Sequence, residues 1–230
     1  MYSFFSSVMY VVSTNAAHAT TLVPLTTEQI VDLSNTIVKG TVTEVWTEPD
    51  PVTHAVWTYA QVEVSSVLKG EKETNVVILE QPGGSFGQIN TTVEGVARFS
   101  VGEEGYFFVE ELDSGKNVTA GMFQGKYNIV LDPYSREEIV VRFSVHPNRK
   151  FDHRFIPLPS AKDMISVHAF EANIQTYVAN GWDGTPIPGV SMEKLQKINT
   201  KPTDTSATLP NFNNANSNTN SDMNLGTNIK

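Results

Sequence analysis

The chain has 230 residues, no cysteine and a formal net charge of −9 at pH 7, from 25 acidic and 16 basic side chains. The acidic balance argues against a nucleic-acid-binding protein, which carries a basic face. Without cysteine the chain can form no disulfide, thiolate zinc site or cysteine nucleophile. The length predicts one domain with additional segments, or two small domains.

Residues 1–19 have the pattern of an export signal. Tyr2 to Val12 is apolar and aromatic, and Ala17-His18-Ala19 offers small residues to a signal peptidase. The run is shorter than the ~20 residues of a bilayer span. No Lys or Arg precedes it, so a frayed apolar terminus is the alternative. We expect an exported protein, periplasmic or extracellular, with no transmembrane segment in a mature chain that starts near Thr20.

A short helix is predicted directly after the signal. Thr26 can cap the first free amide groups, and Gln29 three residues later completes a capping box. Leu25 and Ile30 are placed to form a hydrophobic staple. The helix is expected to end near Ser34.

The central stretch of the chain predicts a β-hairpin. Residues 56–68 alternate between an apolar and a more polar face, which is typical of a strand, and 76–79 form a short apolar run. A strand over 36–46 precedes the hairpin, and Gly40 within it predicts a bulge or a close backbone crossing. Residues 82–87 follow as a flexible glycine loop.

Further short strands are predicted after that loop, over 89–100, 106–109, 118–122, 127–131 and 138–143. Short strands separated by turns every ten residues or so indicate a sandwich or a barrel. The predicted fold class is mainly β: a small antiparallel barrel of the OB or netrin-like type over residues 20–145, with a short N-terminal helix.

The carboxy-terminal third is predicted to hold one amphipathic helix. A basic connector (146–159) leads to a helix over 160–181, with Ser160 as its N-cap and Asn180-Gly181 as its end. Its apolar stripe is expected to cover the open side of the β domain, and consists of Val167, Phe170, Ile174, Tyr177 and Val178. A linker (182–201) and a disordered Asn-rich tail (202–230) follow.

Candidate binding residues come from the glycine turns and from the tryptophans. They are Trp57, Pro82, Gly83, Gly84, Phe86, Gln124 and Lys126. The glycine turns have a structural interpretation, since they suit positive φ angles or bulges. Trp46, Trp57 and Trp182 could form a sugar-stacking face, or a buried layer under the carboxy-terminal helix.

No catalytic residue, metal site or cofactor is predicted. The histidines after the signal lack the close spacing of a metal site; they are His54, His146, His153 and His168. Ser85 lies between Gly84 and Phe86, but no helix follows it, as a nucleophile elbow requires. Asp152-His153 is the one adjacent acid–histidine pair, and sequence neighbours rarely form a catalytic relay.

Several motifs together resemble an uncharacterised family of exported bacterial domains found near secreted metalloproteases. They are Leu-Thr-x-Glu-Gln-Ile-Val, Ile-Val-Lys-Gly-Thr-Val, Thr-Tyr-Ala-Gln-Val-Glu-Val-x-x-Val-Leu-Lys-Gly, Gln-Pro-Gly-Gly, Val-Gly-Glu-Glu-Gly-Tyr-Phe-Phe-Val and Gln-Gly-Lys-Tyr, within 21–141. The chain is also loosely similar to the netrin-like barrel of tissue inhibitors of metalloproteases. Those inhibitors direct an amino-terminal cysteine at zinc, and this chain has none. The resemblance implies a small β-barrel and no established activity.

The favoured expectation is an exported, non-enzymatic β-barrel module that binds a protein partner, with a secreted protease as the candidate partner. One alternative is an envelope-polysaccharide binder that uses Trp57 and Trp46. Another is a hydrolase that uses Ser85 or His153. The sequence leaves the partner and the oligomeric state open.

Overall fold

A computed structural model of the chain describes residues 22–132, 134–142 and 164–200. The predicted export signal, the connector over 146–159 and the tail over 202–230 lie outside the described residues and stay predictions. Among the described residues, no helix combines the length and the apolar character needed to cross a membrane.

The described residues form three helices and ten strands. The helices are α1 (Thr27–Leu33), α2 (Val167–Asn180) and α3 (Met192–Thr200). The strands are β1 (Thr36–Pro49), β2 (Val56–Lys69), β3 (Val76–Pro82), β4 (Gly84–Phe86), β5 (Ile89–Thr91), β6 (Glu104–Glu111), β7 (Asn117–Thr119), β8 (Lys126–Leu131), β9 (Glu138–Arg142) and β10 (Met164–Ser166). A short 3-10 helix over Met122–Gly125 follows β7.

Eight of these strands form one sheet in the order β10-β9-β8-β6-β1-β2-β3, with β7 also paired to β6. All of the pairs are antiparallel, and the predicted central hairpin is confirmed as β2 and β3. The mainly β, antiparallel class is therefore confirmed. No backbone ladder between described residues joins the last strand, β3, to β7 or to β10, so closure into a barrel is unconfirmed.

Side chains, rather than a backbone ladder, connect β3 to the region of β7. Gln81 on β3 donates from Nε2 to Oγ1 of Thr119 on β7 at 2.9 Å. Lys116, just before β7, donates from Nζ to Oε2 of Glu80 on β3 at 2.8 Å. We call this boundary the β3–β7 seam.

Two glycines face each other where β1 pairs with β6. Gly40 and Gly105 are register partners, and β1 has a register shift against β2 beside Gly40, as predicted. A Cβ atom on Gly40 would lie 2.4 Å from the carbonyl oxygen of Glu63, and one on Gly105 would lie 2.3 Å from that of Tyr127. Only glycine permits these close backbone approaches.

The predicted capping box of α1 is confirmed. The Gln29 amide donates to Oγ1 of Thr26 at 3.2 Å, and the Thr26 amide donates to Oε1 of Gln29 at 2.9 Å. The helix ends at Leu33, with Ser34 as its C-cap. Leu25 and Ile30, the predicted staple, are both buried in the same apolar cluster.

Two apolar clusters lie on opposite faces of the sheet. The strand-side cluster contains Val38, Val42, Ala60, Val62, Val77, Leu79, Phe107 and Val109. The helix-side cluster includes Ile30, Tyr106, Phe108, Tyr127, Phe170, Ile174 and Leu195. Alternate residues of β6 enter the two clusters, so this strand is shared by both.

The predicted apolar stripe of α2 is confirmed, since it packs on the helix-side cluster. Phe170 lies at its centre, with ring centroids 4.7 Å from Tyr106 and 4.9 Å from Tyr127. Gly181 ends the helix with a positive φ angle of 67°, but its ψ angle of 177° lies outside the left-handed helical region expected there.

The start of α2 differs from the prediction. The helix begins at Val167, and Ser166 rather than Ser160 is its N-cap, accepting from the Ala169 amide at 3.3 Å. Residues 164–166, predicted as helix, pair instead with β9. Backbone pairing with β9 therefore overrides the helical pattern of this segment.

Other segments also differ from the sequence-based expectation, and the predicted strand over 89–100 is a strand only over Ile89–Thr91. The predicted flexible loop contains β4, which pairs with β5 as a small hairpin. The predicted linker contains α3, whose Leu195 and Ile198 are buried in the helix-side cluster. These two side chains are three residues apart and so lie on one face of a helix, but the repeat is too short to stand out in the sequence.

Candidate functional site

An apolar cleft of about 460 Å³ opens at the end of the β3–β7 seam. Three separate parts of the chain form its walls. The amino-terminal wall is Leu22, Val23 and Leu25; the strand wall includes Trp57, Pro82, Leu112, Val118 and Met122; the carboxy-terminal wall is Pro188, Gly189 and Val190. Most lining side chains are apolar, which is typical of a recognition site.

The strand wall is built from the ends of neighbouring strands. Trp57 on β2 and Pro82 on β3 are register partners, so their side chains lie on the same face. Val118 of β7 lines the cleft from the other side of the seam. Pro82 has no amide hydrogen, so its place at the end of an edge strand removes no ladder hydrogen bond.

Gln124 holds the amino-terminal wall in place. Its Oε1 accepts from the Leu25 amide at 2.8 Å, and its Nε2 donates to the carbonyl oxygens of Val23 at 3.0 Å and Gly121 at 3.3 Å. The side chain is 2% exposed. Gln124 lines the cleft, but its polar atoms are engaged with backbone groups.

The carboxy-terminal wall depends on α3. Residues 188–190 precede this helix, and the Val190 amide donates to the carbonyl oxygen of Ile187 at 3.0 Å. Lys194 of α3 forms an ion pair with Glu110, the one carboxylate among the cleft-lining residues of the described chain. The charge of Glu110 is therefore balanced within the protein.

A second polar contact, outside the cleft, joins α3 to α1. Asn199 donates from Nδ2 to the carbonyl oxygen of Asp32 at 3.0 Å, and Lys69 donates from Nζ to that of Val31 at 2.9 Å. Burial raises the pKa of the Asp32 carboxyl to about 6, and burial lowers the pKa of the Lys69 ammonium to about 8. The Asn199 contact joins α3 to α1, the Lys69 contact joins β2 to α1, and neither lines the cleft.

Next to the cleft, on the outer face of β1 and β2, lies an aromatic stack. The rings of Trp46 and Tyr59 are parallel within 13°, with centroids 5.3 Å apart. The Lys116 ammonium lies 5.9 Å from the Tyr59 ring and 4.6 Å from the Trp57 ring. We call these four residues the aromatic stack. Trp57 belongs both to the stack and to the cleft.

Two carboxylates balance the charge of Lys116. Its ammonium lies 2.8 Å from Glu80 and 3.4 Å from Asp50. The hydrogen bond to Glu80 raises the pKa of Lys116. Amide hydrogen bonds from Thr53 and then Val52 lower the pKa of Asp50 to about 2. The stack is therefore a set of groups that already have partners.

Three of the predicted glycine-loop residues, Gly83, Gly84 and Phe86, are not among the residues that line the cleft. Gly83 donates its amide to Val56 at 2.8 Å. Gly84 has a φ angle of 135°, and a Cβ atom there would lie 2.7 Å from Oγ1 of Thr58. Phe86 is 45% exposed on β4, opposite Ile89 on β5. The turn therefore requires glycine at position 84 for structural reasons.

Lys126 lies elsewhere, in a buried ion pair. Its ammonium is 2.6 Å from Glu103 and also donates to the carbonyl oxygen of Arg98, while the Phe99 ring lies 5.2 Å away. Burial lowers the pKa of Lys126. The cleft therefore brings together three of the predicted binding residues, Trp57, Pro82 and Gln124, and leaves Lys126 apart.

The residues considered for catalysis do not converge within the described part of the chain. Ser85 contacts Asn90, with Oγ and Oδ1 3.2 Å apart, and His153 lies outside the described residues. Across the described ranges, no three His, Asp or Glu side chains gather to hold a metal ion. Trp182 donates to the carbonyl oxygen of Thr185 at 2.8 Å and packs on the helix-side cluster, away from the stack.

No protein-family model matches the chain, and a search of curated proteins also found no match. The resemblance to an exported bacterial family therefore stays a prediction. The cleft residues that sequence reasoning missed come from segments far apart in the chain, such as Val23, Val118 and Val190. No local pattern marks them, because each is an ordinary apolar residue until the fold brings them together.

Proposed function

We propose that this chain is an exported, non-enzymatic module that binds a protein partner through the apolar cleft. The observation that carries the proposal is the cleft itself, with a volume of about 460 Å³ and mainly apolar walls. Its carboxylate, Glu110, is paired with Lys194, and the Gln124 amide is bonded to backbone. Burial of apolar side chains from a partner is the favourable term that such walls offer.

An extended segment with apolar side chains is the ligand that suits these walls. Val23 at the mouth is 45% exposed, so a partner would remove apolar surface from water. Each fully buried aliphatic side chain would contribute about 1.5–3 kcal/mol before the cost of ordering. We propose a secreted protease as the partner, on the basis of the family resemblance, with the cleft receiving a surface segment of that protease.

We further propose that the strands around the strand-side cluster act as a barrel-like scaffold for this cleft. Side-chain contacts across the β3–β7 seam support the idea, since Gln81 reaches Thr119 at 2.9 Å. A rigid scaffold suits recognition because little conformational entropy is then lost on binding.

Capture from the native host tests the proposal. The purified protein is immobilised and exposed to the exported fraction, and each captured protease is then assayed with and without the free protein. Val23→Asp places a charge at the cleft mouth, and Val130→Asp is its matched control, since Val130 is 42% exposed on β8 and lies outside the cleft.

We expect Val130→Asp to capture and inhibit the same protease as the natural protein, and Val23→Asp to lose both effects. Equal capture by the two variants would contradict the cleft as the binding site. Capture without inhibition would retain partner binding and remove the inhibitory role.

A polysaccharide-binding surface is the second candidate, supported by the stacked rings of Trp46 and Tyr59, 5.3 Å apart. It ranks lower because the rings contact each other and Lys116, which leaves less ring face for a sugar. A glycan array compares the natural protein with Trp46→Ala and Trp57→Ala. Glycan binding that both substitutions remove would favour this candidate, and an array without signal would dispose of it.

A further inference from the structure

Met122, which lines the cleft, has a backbone conformation that side chains rarely adopt. Most of the described residues with a positive φ angle are glycines, and the exceptions are His54, Met122 and Arg136. His54 and Arg136 are exposed in the loops that follow β1 and β8, whereas Met122 is half-buried in the cleft wall. A positive φ angle is unfavourable for a residue with a Cβ atom, so glycine is the residue expected at position 122. A strained residue in a candidate site suggests that its side chain has a role there.

The turn around Met122 is held on both sides. Gly121 before it is left-handed, with a φ angle of 61° and a ψ angle of 31°. After it, the Phe123 amide donates to the carbonyl oxygen of Gly95 at 3.0 Å. Gln124 donates to the carbonyl oxygen of Gly121 from its amide and from Nε2, both at 3.3 Å. These hydrogen bonds fix the backbone at Met122, whose φ angle is 64°, against the cost of its conformation.

The end of the Met122 side chain lies against bare backbone at Gly95. A Cβ atom on Gly95 would lie 3.1 Å from Cε of Met122 and 3.5 Å from its Sδ, so the absence of a side chain there makes room for the thioether. We call the space over Gly95 that the thioether occupies the Gly95 notch. Val96, the next residue along the chain, also lines the cleft. The notch is therefore part of the cleft wall.

We propose that Met122 is a specificity-determining residue of the cleft, because its thioether fills the Gly95 notch and so limits the size of the partner side chain that the cleft admits. The inference rests on the proposed function, in which an apolar segment of a partner enters the cleft. Methionine suits this place because its side chain is apolar, unbranched and adaptable. Removal of the thioether would add the volume of the notch to the cleft, which should then accept a larger apolar side chain.

Backbone strain at Met122 can be measured without any partner. Met122→Ala and Met122→Gly both empty the notch, but only glycine adopts a φ angle of 64° freely. We expect the unfolding equilibrium constant of Met122→Ala to be about three- to fivefold larger than that of Met122→Gly, since the strain outweighs the extra freedom of glycine in the unfolded chain. Urea denaturation measures both constants. Arg136, with a φ angle of 61° outside the cleft, is the matched control, and Arg136→Ala and Arg136→Gly should differ by a similar factor.

Two small probes, acetyl-leucinamide and acetyl-tryptophanamide, test the size limit. Both are neutral, and the indole ring of the second is larger than the side chain of the first. NMR titration of the full chain gives both dissociation constants, read from the methyl signals of Val23 and Val118, which line the cleft. We expect Met122→Ala and Met122→Gly to shift the ratio of the two constants by about tenfold in favour of the tryptophan probe. Met122→Leu, which conserves volume, and Arg136→Gly should keep the natural ratio.

The two measurements separate a structural role of Met122 from a role in specificity. A residue with only a structural role would change the unfolding constant and leave the ratio of the probes as it is in the natural protein. An unchanged ratio in both Met122→Ala and Met122→Gly would therefore overturn the proposal, while the cleft remained a binding site. Equal unfolding constants for these two variants would also overturn it, because the strained backbone is its premise. Probes that shift no cleft signal in the natural protein would contradict the proposed function, and this inference with it.

Discussion

Trp57 belongs to both the cleft and the aromatic stack, but the two regions differ in how their side chains are packed. In the stack, the ring of Tyr59 lies against Trp46, and the Lys116 ammonium lies over Trp57 at 4.6 Å. In the cleft, apolar side chains such as Val23 and Val118 border open volume. An exposed aromatic residue marks a binding site only when its neighbours leave it a free face, and that condition favours the cleft.

The polar groups of the two regions also have different roles. In the stack, Lys116 is balanced by Glu80 and Asp50, so it is a structural tie between turns and strands. In the cleft, Glu110 is paired with Lys194, and Gln124 is hydrogen-bonded to backbone groups of the amino-terminal wall. The open surface is therefore mainly apolar. The difference suggests that the stack stabilises the scaffold while the cleft is left available for a partner.

The largest effect should come from the wall that α3 supports. Leu195→Ala removes a fully buried side chain from the helix-side cluster. We expect the free energy of unfolding to fall by about 2–5 kcal/mol, from lost burial and the cavity left behind. Urea denaturation measures it, with exposed Gln196→Ala as the control, expected to stay within about 0.5 kcal/mol. Equal stability of the two variants would mean that α3 does not anchor this wall.

Breaking the stack should have the next largest effect. Lys116→Ala removes a charged hydrogen bond of 2.8 Å to Glu80, together with the contact over Trp57. We expect a loss of about 1.5–3 kcal/mol in unfolding free energy. Lys197→Ala is the matched control, because its ion pair with Asp113 is exposed, and should cost less than about 1 kcal/mol. Equal losses would remove the distinction between a structural stack and an ordinary surface pair.

Gln124→Met tests whether Gln124, a predicted binding residue, has a structural role instead. The change keeps the side-chain length but leaves the Leu25 amide and the Val23 carbonyl without their side-chain partner. We expect stability to fall by about 1–3 kcal/mol because a buried donor loses its acceptor. Thermal unfolding measures this, and Gln124→Glu should lose at least as much, because its buried carboxylate would face the Val23 and Gly121 carbonyl oxygens to which Nε2 now donates. If Gln124→Met were as stable as the natural protein, the structural role would be contradicted and a direct binding role would be favoured.

The smallest predicted effect is on the stability of the fold at acidic pH. The pKa of Asp50 is lowered to about 2 in the folded state, so its carboxylate contributes stability above about pH 4. That contribution should be lost as the pH falls from about 4 towards 2, since the unfolded state then binds the proton more readily. Asp50→Asn should flatten the stability curve in this window. Identical slopes for the two proteins, from urea denaturation at each pH, would contradict the lowered pKa.

Much of the sheet could be predicted because its signals are local. Alternation over 56–68 identifies β2, and Gly40 marks the close crossing, where a Cβ atom would lie 2.4 Å from a carbonyl oxygen. The capping box at Thr26 fixes the start of α1. Each of these features depends on neighbours in the sequence or on a single steric constraint.

The remainder depends on contacts between distant residues. The helix α3 has only Leu195 and Ile198 buried, too few to reveal a periodicity. The cleft combines Val23, Val118 and Val190, which nothing in the sequence connects. Sequence reasoning identified Trp57, Pro82 and Gln124 as binding candidates, but it also selected Lys126, whose buried pairing with Glu103 arises only from the tertiary fold.

The most direct test of the account is the affinity of the captured partner for a cleft variant and a stack variant, measured by calorimetry on folded proteins. We predict that Val118→Asp weakens binding by about tenfold or more, because a charge in an apolar site must be desolvated. Trp46→Ala should leave the affinity within about twofold, since its ring lies in the stack. If Trp46→Ala abolished binding while Val118→Asp left it unchanged, the stack and not the cleft would be the recognition site.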